Sequence, residues 1–221
     1  MSFKGGSIIL LSSLVSLISR VSAISFAIAA LCVPLLLLLT IQQVISRYFF
    51  NVSSIALQEL QWHLFGVIIT LSLAHALQLN HHVRVDILSN RFSSRMRRAI
   101  HVAGFSLLIP LALSLAYFGI EDVIAARSYP TSTPPSFYST LLFGTDSIIF
   151  PVVDHLETLL RNTILVGEGS SDAGGLEARW IIKSAFPLGM ILLALQSIAL
   201  LLLCLMPSLR KNVQNNMNWL E

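Results

Sequence analysis

Charge is what this 221-residue chain has least of. Asp, Glu, Lys and Arg together make up 11% of it, while 55% is hydrophobic; soluble domains carry about a quarter charged residues. So little charge cannot give a water-compatible surface over the whole length, which excludes an ordinary soluble domain. Cysteine is scarce as well. Cys32 and Cys204 both lie inside apolar stretches, which leaves no disulfide framework and no cysteine-based metal site. A glycine-rich phosphate loop, a nucleophile elbow and a carboxylate pair with a neighbouring base are also lacking, so nothing in the sequence argues for an enzyme.

What remains is apolar length. Four intervals, 21–46, 60–83, 99–120 and 184–209, contain no Asp, Glu, Lys or Arg, and a membrane-spanning helix needs about 20 apolar residues. The expected fold is therefore an all-α integral membrane protein, a single membrane domain over 1–221. Its predicted spans are about 21–46, 57–80, 99–120 and 184–208. Pro34, Pro110 and Pro187 fall within the first, third and fourth of these, and proline is more frequent in spanning helices than in soluble ones.

The formal net charge of +3 does not call for nucleic acid, because topology explains the basic residues. Arg84, Arg91, Arg95, Arg97 and Arg98 crowd the connection between the second and third spans, and short Lys/Arg-rich loops stay in the cytoplasm. Four spans then place both termini in the cytoplasm, in agreement with Lys4 and Arg20 at one end and Arg210 and Lys211 at the other. The segment 121–183 becomes an outer loop, in which acids outnumber bases two to one. Residues 1–23 mimic a signal peptide, but cleavage there would put the arginine-rich connection outside. Ser12, Ser16 and Ser19 instead form a polar stripe at helical spacing, which predicts a separate amphipathic helix over 7–19 lying in the membrane interface.

Within the outer loop, apolar stretches at 137–143 and 148–153 are interrupted by Gly144, Asp146 and Pro151 and read as short interfacial or packed helices. The run 167–175 is turn chemistry, rich in glycine and serine. Trp180 and Lys183 follow it as an aromatic and a basic anchor at the membrane surface. A turn over 47–54 joins the first two spans. Its Asn51-Val52-Ser53 is formally a glycosylation sequon, although a turn with serine caps is the simpler reading. Arg47 and Glu59 flank this turn, either paired across the helical hairpin or solvated separately.

Histidine is the one residue type that keeps a cofactor in play. His63 and His75 are rotated about 120° apart on one helix, but His75 and His101 both fall near the same end of their spans, so a haem-bearing membrane anchor is the alternative reading. His81 and His82 have no third or fourth ligand at closing distance in sequence.

Three ordered blocks then resemble a known family. Arg47-Tyr48-Phe49-Phe50-Asn51, Leu57-Gln58-Glu59-Leu60-Gln61-Trp62-His63-Leu64-Phe65 and His82-Val83-Arg84-Val85-Asp86 look like the pattern of the small membrane subunit of tripartite ATP-independent periplasmic (TRAP) transporters. The stretch 167–189 is similar to the mannitol, chloroaromatic and 2-oxo-acid subgroup. The resemblance implies a bacterial inner-membrane scaffold subunit without a cofactor. It would serve sodium-coupled uptake of an organic acid or similar solute, beside a large multi-span membrane subunit and a periplasmic substrate-binding protein. On that reading Arg47, Asn51, Glu59, Trp62, Arg84, Asp86, Trp180 and Lys183 are subunit-interface or structural residues, and the substrate site lies in the large subunit.

Overall fold

The computed structural model describes residues 3–79, 93–130, 148–172 and 174–206, with single positions at 136, 139, 140, 145, 209 and 213. Arg84, Asp86, His81, His82 and the expected stretch 137–143, apart from 139 and 140, lie outside the described residues. The described chain runs α1 (Phe3–Phe49), α2 (Ile55–Gln78), α3 (Ser94–Ser128), α4 (Phe150–Thr163), α5 (Trp180–Lys183) and α6 (Ala185–Leu205). Four helical stretches are long and apolar enough to cross a membrane: Ile8–Phe49, Ile55–Gln78, Ser94–Ser128 and Trp180–Leu205.

The separate N-terminal helix expected over 7–19 is instead the beginning of α1, whose 47 residues run without a break past Arg20. The reason is that a charge marks a membrane boundary without interrupting a helix. No glycine or proline stands between Gly6 and Pro34, and arginine is a good helix former. At about 1.5 Å per residue, α1 is about 70 Å long, well beyond the ~30 Å of a hydrocarbon core.

Asn51 ends α1 by taking up the left-handed conformation (φ 53°), which asparagine tolerates better than most residues. The amides of Phe50 and Val52 both reach back to the Ser46 carbonyl, at 3.1 and 3.2 Å. Ser54 then caps α2, its hydroxyl accepting from the Leu57 amide at 3.4 Å. Ser93 does the same for α3 through Met96. Pro34 and Pro110 lie within α1 and α3. Pro187 falls in the first turn of α6, where its amide has no helical partner to lose.

Contacts divide the chain into two compact units, one of residues 1–34, 66–118 and 185–221, the other of residues 35–65 and 119–184. The first has a core of Leu77, Ala112, Ala116, Met190, Leu193 and Ala194. A second cluster joins Val15 to Ala199, Leu209 and Val213. The serine stripe is part of this packing: Ser12 and Ser19 are buried, so it faces protein and not the membrane surface. Small side chains let helices approach closely. The Ser12 and Ser16 hydroxyls need no water, because Ser12 donates to the Ile9 carbonyl and Ser16 to the Ser13 carbonyl, both at 2.8 Å. Farther along, Ser22 donates to Gln196 Oε1 at 3.1 Å and Ser25 to the Leu71 carbonyl at 3.1 Å, tying α1 to α6 and α2. Between α2 and α6 the approach is closest at Gly189, where a Cβ would lie 2.5 Å from the Thr70 carbonyl oxygen.

Candidate functional site

The second unit gathers the polar residues singled out in the sequence. Its foundation is the hairpin of α1 and α2. Gln43 donates to the Ser54 carbonyl and Gln61 to the Leu39 carbonyl, each at 3.2 Å, so two amides hold the helices together where hydrogen bonding inside a membrane has few competitors. Gln42 bonds within its own helix, to Ser46 Oγ at 3.0 Å.

Glu59, one turn into α2, uses both carboxylate oxygens on the glycine-rich run. Ser170 Oγ donates to Oε1 at 2.5 Å, and the Leu176 amide donates to Oε2 at 2.7 Å. The run is folded back on itself, with the Ser170 amide donating to the Leu176 carbonyl (2.8 Å) and the Arg179 amide to the Glu168 carbonyl (3.1 Å). Two glycines are needed for this. Gly167 adopts φ +111°, and a Cβ there would meet the Ala126 carbonyl oxygen at 2.8 Å; a Cβ on Gly175 would come within 2.2 Å of Ser170 Cβ and 2.9 Å of Glu59 Oε2. The pair between Arg47 and Glu59 considered from the sequence does not form. Arg47 is exposed, and two neutral donors held at short range take the carboxylate instead.

The other end of the run is held by charge. Lys183 Nζ lies 2.7 Å from Glu168 Oε2 and 3.4 Å from Asp122 Oδ2, and Arg179 stands 3.9 Å from Glu168. The Glu168 amide donates to the Ala126 carbonyl at 2.6 Å. Trp180 donates from Nε1 to the Ile164 carbonyl at 3.2 Å, while the Arg127 guanidinium lies 4.9 Å over its ring. Three of the span ends in this unit therefore contribute a fastening: Glu59 from α2, Asp122 and Arg127 from α3, Trp180 and Lys183 from the start of the last span.

Of the residues expected to matter, the structure brings Glu59, Trp180 and Lys183 onto one loop. Arg47, Asn51 and Trp62 do not join them, and Trp62 is 77% exposed. Sequence reasoning missed Ser170, Leu176, Glu168, Asp122 and Arg127 as partners. The 167–175 run was visible as a turn, but nothing local says that its target is a glutamate more than a hundred residues earlier.

The histidines are occupied separately. His63 donates from Nδ1 to the Glu59 carbonyl at 2.7 Å. His75 packs at 4.8 Å on Phe26, and His101 lies 6.1 Å from Phe105. Among the described residues no cluster of three or more His, Cys, Asp or Glu could hold a metal.

Four apolar crossings whose polar side chains mostly bind the chain to itself define a polytopic helical membrane protein. A family model described as tripartite ATP-independent periplasmic transporters, DctQ component, matches residues 36–153, more than half of the chain, and the chain belongs to this family. It is thus the small membrane component of a TRAP transporter and not an enzyme, and membership does not favour the haem-anchor alternative. The match includes Glu59 and the α1–α2 turn but stops short of the 167–183 run. No curated protein and no solved structure matches the chain.

Proposed function

We propose that the chain is the scaffold subunit of a sodium-coupled transporter that imports an organic acid or similar small solute. It would stand beside a large multi-span subunit that carries the substrate and sodium sites and receives solute from a periplasmic binding protein. The observation that carries this reading is what the spans contain. Residues 21–46, 60–78, 99–120 and 185–205 include no Asp, Glu, Lys or Arg, whereas intramembrane coupling sites use ionisable side chains or broken helices. The helices through these residues are unbroken. Only 11% of the most apolar window is buried in α1 and likewise in α3, which leaves broad apolar faces for a membrane partner and for lipid. Both termini then face the cytoplasm, and the 121–183 segment faces the binding protein.

The test is to tag the chain, extract it in mild detergent and identify what accompanies it. A large polytopic protein should copurify, and deletion of this chain should abolish uptake. A clean monomer, with uptake unaffected by the deletion, would overturn the proposal.

A further inference from the structure

α4 is arranged inside out for a helix in water. Its charged side chains point inward: Glu157 and Arg161 are buried, and Arg161 Nε lies 2.7 Å from Glu157 Oε1. The Ser139 amide donates to Glu157 Oε2 at 2.7 Å, and Ser139 Oγ donates to Asp154 at 3.2 Å. Four apolar side chains, those of Ile148 just before the helix and of Val152, Leu156 and Leu159 on it, point away from the protein, while Phe150 and Val153 are half-buried. Ile148 is 96% exposed, Val152 71%, Leu156 55% and Leu159 50%, a single stripe at spacings of four, four and three. At ~100° per residue, Glu157 and Arg161 lie about 140–180° around the helix from Val152. A third arc, carrying His155, Thr158 and Asn162, is exposed and polar. One side of α4 thus meets protein, one flank suits water, and the stripe suits neither.

Its attachment says what covers the stripe. The helix ends at Thr163, and the Ile164 carbonyl that follows accepts from the Trp180 indole at 3.2 Å. Trp180 is the first residue of the last span, so the C-terminal end of α4 is held at the level where a spanning helix enters the membrane. Exposed aromatic residues accompany it in the same unit: Tyr48, Phe49 and Phe50 at the end of α1, and Tyr129 just past α3. Such side chains favour the membrane–water boundary.

We propose that α4 lies along the bilayer surface on the Glu59 side, with the Ile148–Val152–Leu156–Leu159 stripe in the acyl region of that leaflet and the His155–Asn162 flank in water. A helix with one apolar and one polar face takes this position because its stripe leaves water while its backbone remains hydrogen-bonded within the helix. The inward Glu157–Arg161 pair joins it to its own protein.

The test uses the full-length chain in vesicles of phosphatidylcholine and phosphatidylglycerol. In a Cys32→Ser, Cys204→Ser background, spin labels are placed one at a time through Val152→Cys, Leu156→Cys, Leu159→Cys, His155→Cys and Asn162→Cys. Labels at 152, 156 and 159 should collide several-fold more with oxygen than with a water-soluble nickel chelate, and the order should reverse at 155 and 162. Equal nickel access around the helix would overturn the proposal by placing α4 in water, and a stripe closed to both reagents would overturn it by placing protein there. Where the cysteine-free background fails to fold, Val152→Trp and His155→Trp in the native chain serve instead. Brominated lipid should quench the fluorescence added at 152 and spare that added at 155; equal quenching at both positions overturns the proposal.

Discussion

The Leu176 amide donates to Glu59 Oε2 at 2.7 Å across 117 residues of sequence. A loop that follows the third span is thereby bonded to the second one turn from its start, and Ser170 completes the bond on the other oxygen. Removing the carboxylate leaves an amide and a hydroxyl without their acceptor, and a donor left unsatisfied costs about 1–3 kcal/mol. Glu59→Ala is expected to expose the 167–176 run to protease several-fold faster than in the unaltered chain. Cleavage at the unaltered rate would show that the bond does not hold the loop.

Gly175 belongs to the same device, since its missing side chain makes room for Ser170 and for Glu59 Oε2. Gly175→Ala should therefore reproduce the Glu59→Ala defect, and the double variant should be little worse than either alone, because contacting residues are not additive. Fully additive losses in thermal unfolding would separate the two.

Lys183 bridges Glu168 at 2.7 Å and Asp122 at 3.4 Å, but Asp122 is 62% exposed. Solvent screening reduces pairs of this kind to ~0–1 kcal/mol. Lys183→Ala is expected to lower stability less than Glu59→Ala, and to do so only at low salt. Melting curves across a salt series decide the ranking, and a larger, salt-independent loss at Lys183 would reverse it.

Helix packing in the first unit turns on Gly189. A Cβ there would meet Thr70 carbonyl oxygen at 2.5 Å and carbonyl carbon at 2.8 Å, backbone atoms that move only if α2 and α6 separate. Gly189→Ala should destabilise by roughly 1–3 kcal/mol, as overpacking does. Gly66 and Gly104 have nothing within 4 Å of the same position, so alanine there should leave the melting temperature unchanged or raise it. Equal behaviour at all three glycines would count against a close α2–α6 contact.

A scaffold without transport groups has a kinetic signature. Gln196 is 1% exposed and accepts from Ser22, so Gln196→Ala should lower complex yield and maximal uptake. Substrate preference and the apparent sodium requirement should stay as they were. A change in the compound carried would place part of the transport path in this chain.

Much of the fold was legible because membrane crossing is a property of length and charge read along one dimension. The four charge-free intervals coincide with helices that can span, and Trp180 and Lys183 stand where the last begins. The loop at 167–175 was legible as a turn, because glycine tolerates backbone conformations and close approaches that other residues resist. Legibility failed where one signal carried two meanings. Arg20 marked a boundary in charge but none in the backbone, and the serines read as a wet face line a packed one.

The sequence by itself determined that this protein crosses a membrane four times, since a run of about 20 apolar residues has no stable place in water whatever its neighbours are. It also carried the pattern by which the family is recognised. Only the tertiary structure decided that Glu59 holds Ser170 and Leu176 and leaves Arg47 exposed, that Ser12 and Ser19 face protein, and that α4 turns its charges inward and its leucines out. A carboxylate bonds whichever donors the fold brings within about 3 Å, and a helix face is buried by whatever packs against it. Both depend on residues far away along the chain, which no local pattern contains.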